Sequence, residues 1–408
     1  MELMINLFYK SVVTTLLLFF VALFIAITPI QFQFSADAKP FIPTSDSQIL
    51  EKLPLRSGGS VTNELRKLRA ELSRNPQDLK LALSIAKCYI ELGRAESDPR
   101  YLSYAEAALQ PWLTNLNPEV LVLRAIIHQS NHDFRGALED LSKALKEDRG
   151  KAQAWVTKAQ IHTTCGEYSK AKKNCIPLLR LSNELVFVTC ISSATSLSGD
   201  AQKSFNLLKR IVDNADYATK EEKLWALTIL ADIAKRLGDN AACERYFKEA
   251  FNLSLSDNYL LSAYNDFLLD QGRYSDVVKL LKDKTKIDGL LLRLTLAEQE
   301  LKLPALDEHI KDLNERFNAS KRRGDSVHLR EEAIFTLKLL DEPNKALEFA
   351  KKNWNVQKEP LDARILLESA IAVNDKTAAK PVIEFISRNK LEDVQLAKLV
   401  EKVKDLRS

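Results

Sequence analysis

Glycine and proline are scarce in this chain, with 11 and 13 residues among 408. Strand-rich folds need turn residues about every 8–12 positions, so this scarcity excludes an all-β sandwich, barrel or propeller. Cysteine is also rare, with five residues, which excludes a small disulfide-dense fold. Hydrophobic residues make up 46% of the chain and exclude a disordered low-complexity polymer. The composition therefore predicts a mostly helical protein with an extended core.

Neither sign of charge dominates. Lysine and arginine number 59 and aspartate and glutamate 55, which gives a net charge of +4. The longest basic runs, Lys170–Lys173 and Lys321–Arg323, are short and flanked by acids or amides. A nucleic-acid binder needs a focused basic stripe, so we expect no nucleic-acid partner.

Motifs that carry catalytic chemistry are missing as well. The sequence has no phosphate-binding loop, dinucleotide fingerprint, zinc-protease motif or serine-hydrolase elbow. We therefore expect a protein that is not an enzyme and that uses no cofactor or metal. A remote alternative is a hydrolase site in the irregular segment 304–328, built from the residues that could act there: His309, Asp325, Ser326 and His328.

The amino terminus is predicted to carry an export signal. Residues 12–27 are uncharged and lack Gly and Pro, and Ser35–Ala38 offers the small-x-small pattern read by signal peptidase. Residues 1–38 are thus predicted to be a signal peptide or, alternatively, a retained signal anchor, because residues 12–30 approach the length that spans a bilayer. Membrane contact is expected only through residues 12–30, if they are retained. Residues 39–60, with three prolines, predict a flexible linker.

A period near 34 residues organises the chain from residue 61 to residue 390. Leu121, Ala125 and His128 recur 34 residues later as Trp155, Ala159 and His162. The small residue lets two helices approach closely, and the larger one fills the space between adjacent hairpins. Turn glycines are expected to take the left-handed conformation that ends the first helix of each pair. These glycines are Gly93, Gly166, Gly199, Gly238 and Gly272.

The segment KAQAWVTKAQIHTTCGEYSKAKKNC (151–175) resembles a tetratricopeptide repeat, with Trp, small residue, Gly, Tyr and Ala in that family's order. The resemblance implies an all-α, right-handed α-α superhelical solenoid of about eight helical hairpins, followed by a capping helix over residues 391–408. Residues 75–112 are similar to a group of bacterial envelope repeat proteins, and this likeness brings no activity with it. After Asp288 the pattern weakens, since Pro304 replaces the turn glycine and residues 318–325 suggest an inserted loop.

Histidine and cysteine positions are better explained by packing than by metal binding. His128 and His132 have a chelating i, i+4 spacing, but His162 repeats His128 at a packed position. No C-x-x-C pair is present. If the protein is exported, Cys175 on a second helix and Cys190 on the next first helix are the best-placed disulfide pair.

The first-helix positions that do not pack between hairpins predict a concave groove. Its predicted peptide-binding residues are Gln153, Gln160, Thr163, Thr189, Ser193, Asp232, Lys235, Tyr259 and Asp266. Hydroxyl and amide groups suit hydrogen bonds to the main chain of an extended polypeptide. The sequence therefore predicts a non-catalytic interaction scaffold or adaptor in the cell envelope, either in the periplasm or anchored in the inner membrane facing the periplasm. The alternative is a membrane-anchored assembly factor for an envelope secretion, polysaccharide or transporter complex.

Overall fold

The computed structural model describes Ser45 and residues 60–114, 117–323 and 327–406. The predicted export segment, 1–38, lies outside the described residues, as does the predicted linker except for Ser45 and Ser60. Contacts divide the chain into two units, Met1–Gln48 and Ile49–Ser408, and all the helices described below belong to the second. None of these helices combines the length and the apolar character needed to cross a membrane.

Regular structure in the described residues is entirely helical, which confirms the predicted fold class. In chain order the helices are α1 Ser60–Arg74, α2 Leu79–Glu96, α3 Arg100–Leu109, α4 Pro118–Ser130, α5 Phe134–Glu147, α6 Ala152–Thr164, α7 Tyr168–Cys175, α8 Leu178–Leu181, α9 Glu184–Thr195, α10 Ala201–Val212, α11 Lys220–Leu237, α12 Asn240–Asn252, α13 Asn258–Asp270, α14 Tyr274–Leu281, α15 Asp288–Leu301, α16 Leu306–Arg323, α17 Leu329–Lys338, α18 Pro343–Val356, α19 Pro360–Ala372, α20 Lys376–Asn389 and α21 Val394–Lys404. A short 3-10 turn, Gln110–Trp112, follows α3.

Successive helices pair into hairpins, from α2 with α3 to α19 with α20. The first helix of each hairpin also packs against the first helix of the next, so each hairpin covers the apolar face of its neighbour. Residues 60–114, 117–323 and 327–406 contain nine such hairpins, close to the eight that the period predicted. This arrangement makes the described chain a tetratricopeptide-like helical solenoid.

The close approach of paired helices depends on small residues. Ala86, Ala125 and Ala231 are fully buried, and Ala159 is 2% exposed. Helix starts are fixed by side chains that accept a hydrogen bond from a backbone N–H of the first turn. These caps are Asp78, Asn117, Asp133, Asn183, Thr219, Asp239, Asp257, Asp375 and Asp393.

Four of the five predicted turn glycines have positive φ angles, from +68° at Gly272 to +90° at Gly199. The prediction for Gly93 is wrong, because this residue lies inside α2 and Ser97, with φ of 50°, takes the left-handed position instead. Lys302, with φ of 54°, takes the left-handed position at the end of α15, where the sequence has Pro304 in place of a turn glycine. The inserted loop expected from residue 318 is also wrong as far as residue 323, since those residues continue α16.

A disulfide joins Cys175, at the end of α7, to Cys190 in α9. It covalently links the third and fourth hairpins and confirms the predicted pairing. Cys88, Cys165 and Cys243 are free thiols.

The segments before α19 and α21 return to the turns of the third and fourth hairpins. Lys358 N donates to the carbonyl oxygen of Thr164 at 2.8 Å, and Ala201 N donates to Glu392 Oε2 at 2.7 Å. On the other side, Asn258 Nδ2 donates to the carbonyl oxygen of Arg94 at 2.7 Å. We call these contacts the closing seams, because they bring both ends of the repeat array against its middle.

Candidate binding cavity

Between the closing seams lies a cavity of about 660 Å³. Its walls come from the first helices of successive hairpins and from α21. Ligand pockets commonly measure about 300–1,000 Å³, so the cavity has room for a short extended segment. Polar side chains that line it include Thr163, Thr164, Ser193, Ser196, Asp232, Lys235, Arg236, Tyr259, Ser262, Asp266, Arg293, Arg330, Glu331, Glu359, Arg364 and Asp393.

Six of the nine predicted groove residues line this cavity: Thr163, Ser193, Asp232, Lys235, Tyr259 and Asp266. The other three do not. Gln153 is exposed near the start of α6 and donates to Thr157 Oγ1 at 3.1 Å, and Gln160 is half-buried away from the lining. Thr189 is completely buried, and its hydroxyl donates to the carbonyl oxygen of Leu185 at 2.7 Å. It lies inside the packed hairpin rather than on the groove.

The carboxyl-terminal hairpins supply a wall that sequence reasoning missed. Arg330 on α17 and Arg364 on α19 both line the cavity, together with Glu359 at the start of α19. The predicted groove residues ended at Asp266, so they did not include this second wall. One usable signal was present: a single arginine, Arg293, interrupts the apolar run of α15 and lines the cavity as well.

A buried ion network supports this wall. Arg330 Nε donates to Asp362 Oδ1 at 2.6 Å, and its Nη2 donates to Glu359 Oε2 at 2.6 Å. Asp362 is completely buried and also accepts from Asn353 and Gln357. Burial opposes the charge on Arg330, but the two carboxylates raise the pKa of its guanidinium above the ordinary value. The start of α19 is thereby held rigidly against the seam.

A second network joins opposite walls. Asp270 contacts Lys235 Nζ at 3.0 Å and Arg364 Nη1 at 2.6 Å, so α13 is bridged to both α11 and α19. Burial alone would raise the pKa of Asp270, but these two cations lower it below the usual value. Nearby, Arg293 Nη2 donates to Asp266 Oδ2 at 2.6 Å.

Asp232 has a different environment. Its carboxylate accepts a hydrogen bond from the Tyr259 hydroxyl at 3.1 Å, and no cation of the described residues lies within ion-pair distance of it. Burial raises the pKa of Asp232 to about 6, an effect that Lys235 and Arg236 only partly offset. Tyr259 is 61% exposed, which leaves much of its ring free toward the cavity.

Of the hydrolase alternative's residues, the structure describes His309 and His328, and only His328 lines the cavity. His309, on α16, is hydrogen-bonded through Nδ1 to Glu298 Oε2 of α15 at 2.7 Å, and it is not part of the cavity lining. His328 lines the cavity and contacts the Phe317 ring. Asp325 and Ser326 lie outside the described residues.

The histidines of the repeat share a structural role. His128 Nδ1 lies 3.0 Å from Asp133, and His162 Nδ1 lies 2.6 Å from Glu167. In both cases the carboxylate stands five residues later, in the turn of the same hairpin. His162 is 6% exposed, as expected for the packed position.

No family model matches this sequence, and no curated protein matches it. Solved structures similar to it include a Rap protein complexed with competence and sporulation factor, with 15% identity and a TM-score of 0.44 over 85% of this chain and 97% of that one. The human IFIT1 dimer with PPP-AAAA has 14% identity and a TM-score of 0.41, over 87% and 86% of the chains. The TPR domain of P58(IPK) has 15% identity and a TM-score of 0.24, over 81% and 98%.

Proposed function

We propose that this protein is a non-catalytic interaction scaffold that binds an extended polypeptide segment inside the cavity. The observation that carries the proposal is that both ends of the repeat array contact its middle around a space of about 660 Å³ whose lining includes many polar side chains. A binding site whose side chains are already held in place loses less conformational entropy when a ligand enters. The two ion networks provide such preorganisation on opposite walls.

The lining chemistry suits a peptide backbone. Hydroxyl groups from three first helices, α6, α9 and α13, line the same space, and they include those of Thr163, Ser193, Tyr259 and Ser262. A hydroxyl both donates and accepts, so it can pair with either the N–H or the C=O group of an extended main chain. Main-chain recognition of this kind provides affinity without requiring one particular sequence.

Filling the cavity tests the proposal. Ser193→Trp and Ser262→Trp place a large ring in the lining, whereas Ser169→Trp, at an exposed position on α7, is the matched control. The three variants and the wild type would be crosslinked in cells of the native host, and captured proteins quantified by mass spectrometry. We expect both cavity variants to lose partners that the control retains. Identical recovery by all four proteins would mean that the cavity is not the binding surface.

We further propose that the protein acts on the outer side of the inner membrane. The uncharged segment 12–27 supports export, and so does the disulfide between Cys175 and Cys190, because disulfides persist in oxidising compartments. Amino-terminal sequencing of the mature protein tests how it is held there. A mature chain that begins at Lys39 means a cleaved signal peptide, whereas one that retains residues 1–38 favours the membrane-anchored assembly factor. Free thiols at Cys175 and Cys190 in intact cells would contradict export.

A further inference from the structure

Asp232 and Tyr259 stand out among the cavity residues because a carboxylate that makes no ion pair in the described residues is hydrogen-bonded to an exposed aromatic side chain. We propose that they form a subsite for a cationic side chain, that of lysine or arginine, carried by the bound peptide. This inference rests on the proposed function, since it names the kind of peptide that the cavity selects.

The first argument is the pairing of charges around the cavity. Each lining cation among the described residues is already engaged: Lys235 and Arg364 with Asp270, Arg293 with Asp266, and Arg330 with Glu359. Arg236 donates to the carbonyl and hydroxyl oxygens of Ser196, both at 2.8 Å. Three lining carboxylates, those of Asp232, Glu331 and Asp393, make no ion pair within the described residues. Of the three, Asp232 is the one whose hydrogen bond comes from an aromatic side chain, the Tyr259 hydroxyl. A half-buried carboxylate without a cation can form a charge-assisted hydrogen bond with an ammonium or guanidinium group of a ligand.

The second argument is the geometry of Tyr259. Its hydroxyl is tied to Asp232 Oδ2 at 3.1 Å, so the ring is held beside the carboxylate. The side chain is 61% exposed even though it lines the cavity. The face of an aromatic ring attracts ammonium and guanidinium groups. A cation that contacts Asp232 would therefore also lie over a ring that has no other cation near it in the described residues.

The surroundings of Asp232 favour a cation over an anion. Lys235 and Arg236, on the same helix, are turned toward Asp270 and Ser196. From the opposite wall, Glu359 adds negative potential at both Asp232 and Tyr259, while Arg330 is bound to Glu359. An anionic ligand would have to break one of the existing ion pairs before it could bind a lining cation. A cationic ligand can pair with Asp232 without breaking any of them.

A positional-scanning library of amino-terminally acetylated hexapeptides tests the inference on the full chain. Each sub-library fixes one residue at one position, and binding is measured by fluorescence anisotropy. We expect the wild type to prefer Lys or Arg at one position by about tenfold, the difference that one charged contact of about 1.4 kcal/mol confers. Asp232→Asn should abolish that preference and leave the preferences at other positions intact. Asp232→Lys should reverse it toward Asp or Glu, and Tyr259→Leu should weaken it.

Glu221→Gln is the matched control, because Glu221 is an exposed carboxylate on the same helix and is not part of the cavity lining. The outcomes are distinguishable. Peptide binding without any preference for Lys or Arg, or a preference that survives in both Asp232 variants, overturns the subsite and leaves the proposed function standing. A wild-type chain that binds no hexapeptide of any composition overturns the proposed function itself.

Discussion

The Thr164 hydroxyl donates to Glu359 Oε1 across 3.1 Å, although 195 residues separate the two in sequence. Thr164 ends the first helix of the third hairpin, and Glu359 precedes the first helix of the ninth. Beside this bond, the Phe385 ring contacts Tyr168 with centroids 6.0 Å apart. The seam therefore combines hydrogen bonds with aromatic packing, and it forms one side of the cavity.

Two glycine substitutions distinguish the cost of disturbing the seam from the cost of a strained turn alone. Gly166 and Gly272 have similar φ angles, +73° and +68°. A Cβ at Gly166 would lie 2.6 Å from Phe385 Cε2, whereas one at Gly272 would have no neighbour within 4 Å. We expect Gly272→Ala to lower the free energy of unfolding by about 1–2 kcal/mol from backbone strain. Gly166→Ala should cost at least about 1 kcal/mol more, because Phe385 must move. Urea unfolding of both variants measures the difference in the free energy of unfolding. Equal losses would mean that Phe385 moves away from the added Cβ without cost.

The buried network at Arg330 is expected to be highly sensitive to the loss of one partner. Arg330→Met leaves Asp362, which is completely buried, without its cation, and should lower the free energy of unfolding by about 3–5 kcal/mol. Arg330→Met combined with Asp362→Asn should recover part of that loss, because no unpaired charge remains. A double-mutant cycle by urea unfolding measures the coupling. A cost below about 1 kcal/mol for Arg330→Met would contradict a buried pair.

Reduction of the disulfide should destabilise the chain. Cys175 and Cys190 are 15 residues apart, and a loop of that size is stabilised by about 3 kcal/mol when its ends are linked. We expect the wild type to lose roughly that amount when a reductant is added, whereas the double variant Cys175→Ser, Cys190→Ser should not respond to it. Cys88→Ser serves as the control, since Cys88 is a free thiol, and it should respond like the wild type. Chemical unfolding with and without reductant provides the measurement.

The raised pKa of Asp232 predicts how stability depends on pH. Burial moves this pKa from 3.8 to about 6, so the folded protein holds the proton more tightly than the unfolded chain does. The contribution to stability is present below pH 4 and is lost as the pH rises toward 6. Asp232→Asn should therefore be more stable than the wild type at pH 7.5, on the order of 2 kcal/mol, and nearly equal to it at pH 4. Unfolding curves at both pH values test this, and a difference that does not change with pH would contradict it.

Much of the fold could be predicted because the repeat encodes it locally. The 34-residue spacing from Ala125 to Ala159 places a small residue at the same position of two successive hairpins, and both are buried as expected. Turn glycines such as Gly166 and Gly238 predicted where first helices end. Gly93 was misread because a glycine can also be accommodated inside a helix, and only the backbone angles distinguish the two uses.

The sequence predicted cavity-lining residues on only one of the walls. Positions on α6, α9, α11 and α13 share the repeat register, so Thr163, Ser193 and Asp232 were found from spacing alone. Thr189 was misplaced because a small error in helical phase turns a side chain from the groove into the core, and its hydroxyl then bonds to its own helix.

By itself, the amino-acid sequence determined the helices, their pairing and the stacking of one hairpin on the next, because these depend on contacts between residues close together in the chain. The tertiary structure alone decided that Glu359 meets Thr164 and that Arg364 meets Asp270. Those contacts depend on the small rotation between each pair of neighbouring hairpins, summed over the repeats between them. A small change in that rotation would leave every hairpin intact and would leave the groove open.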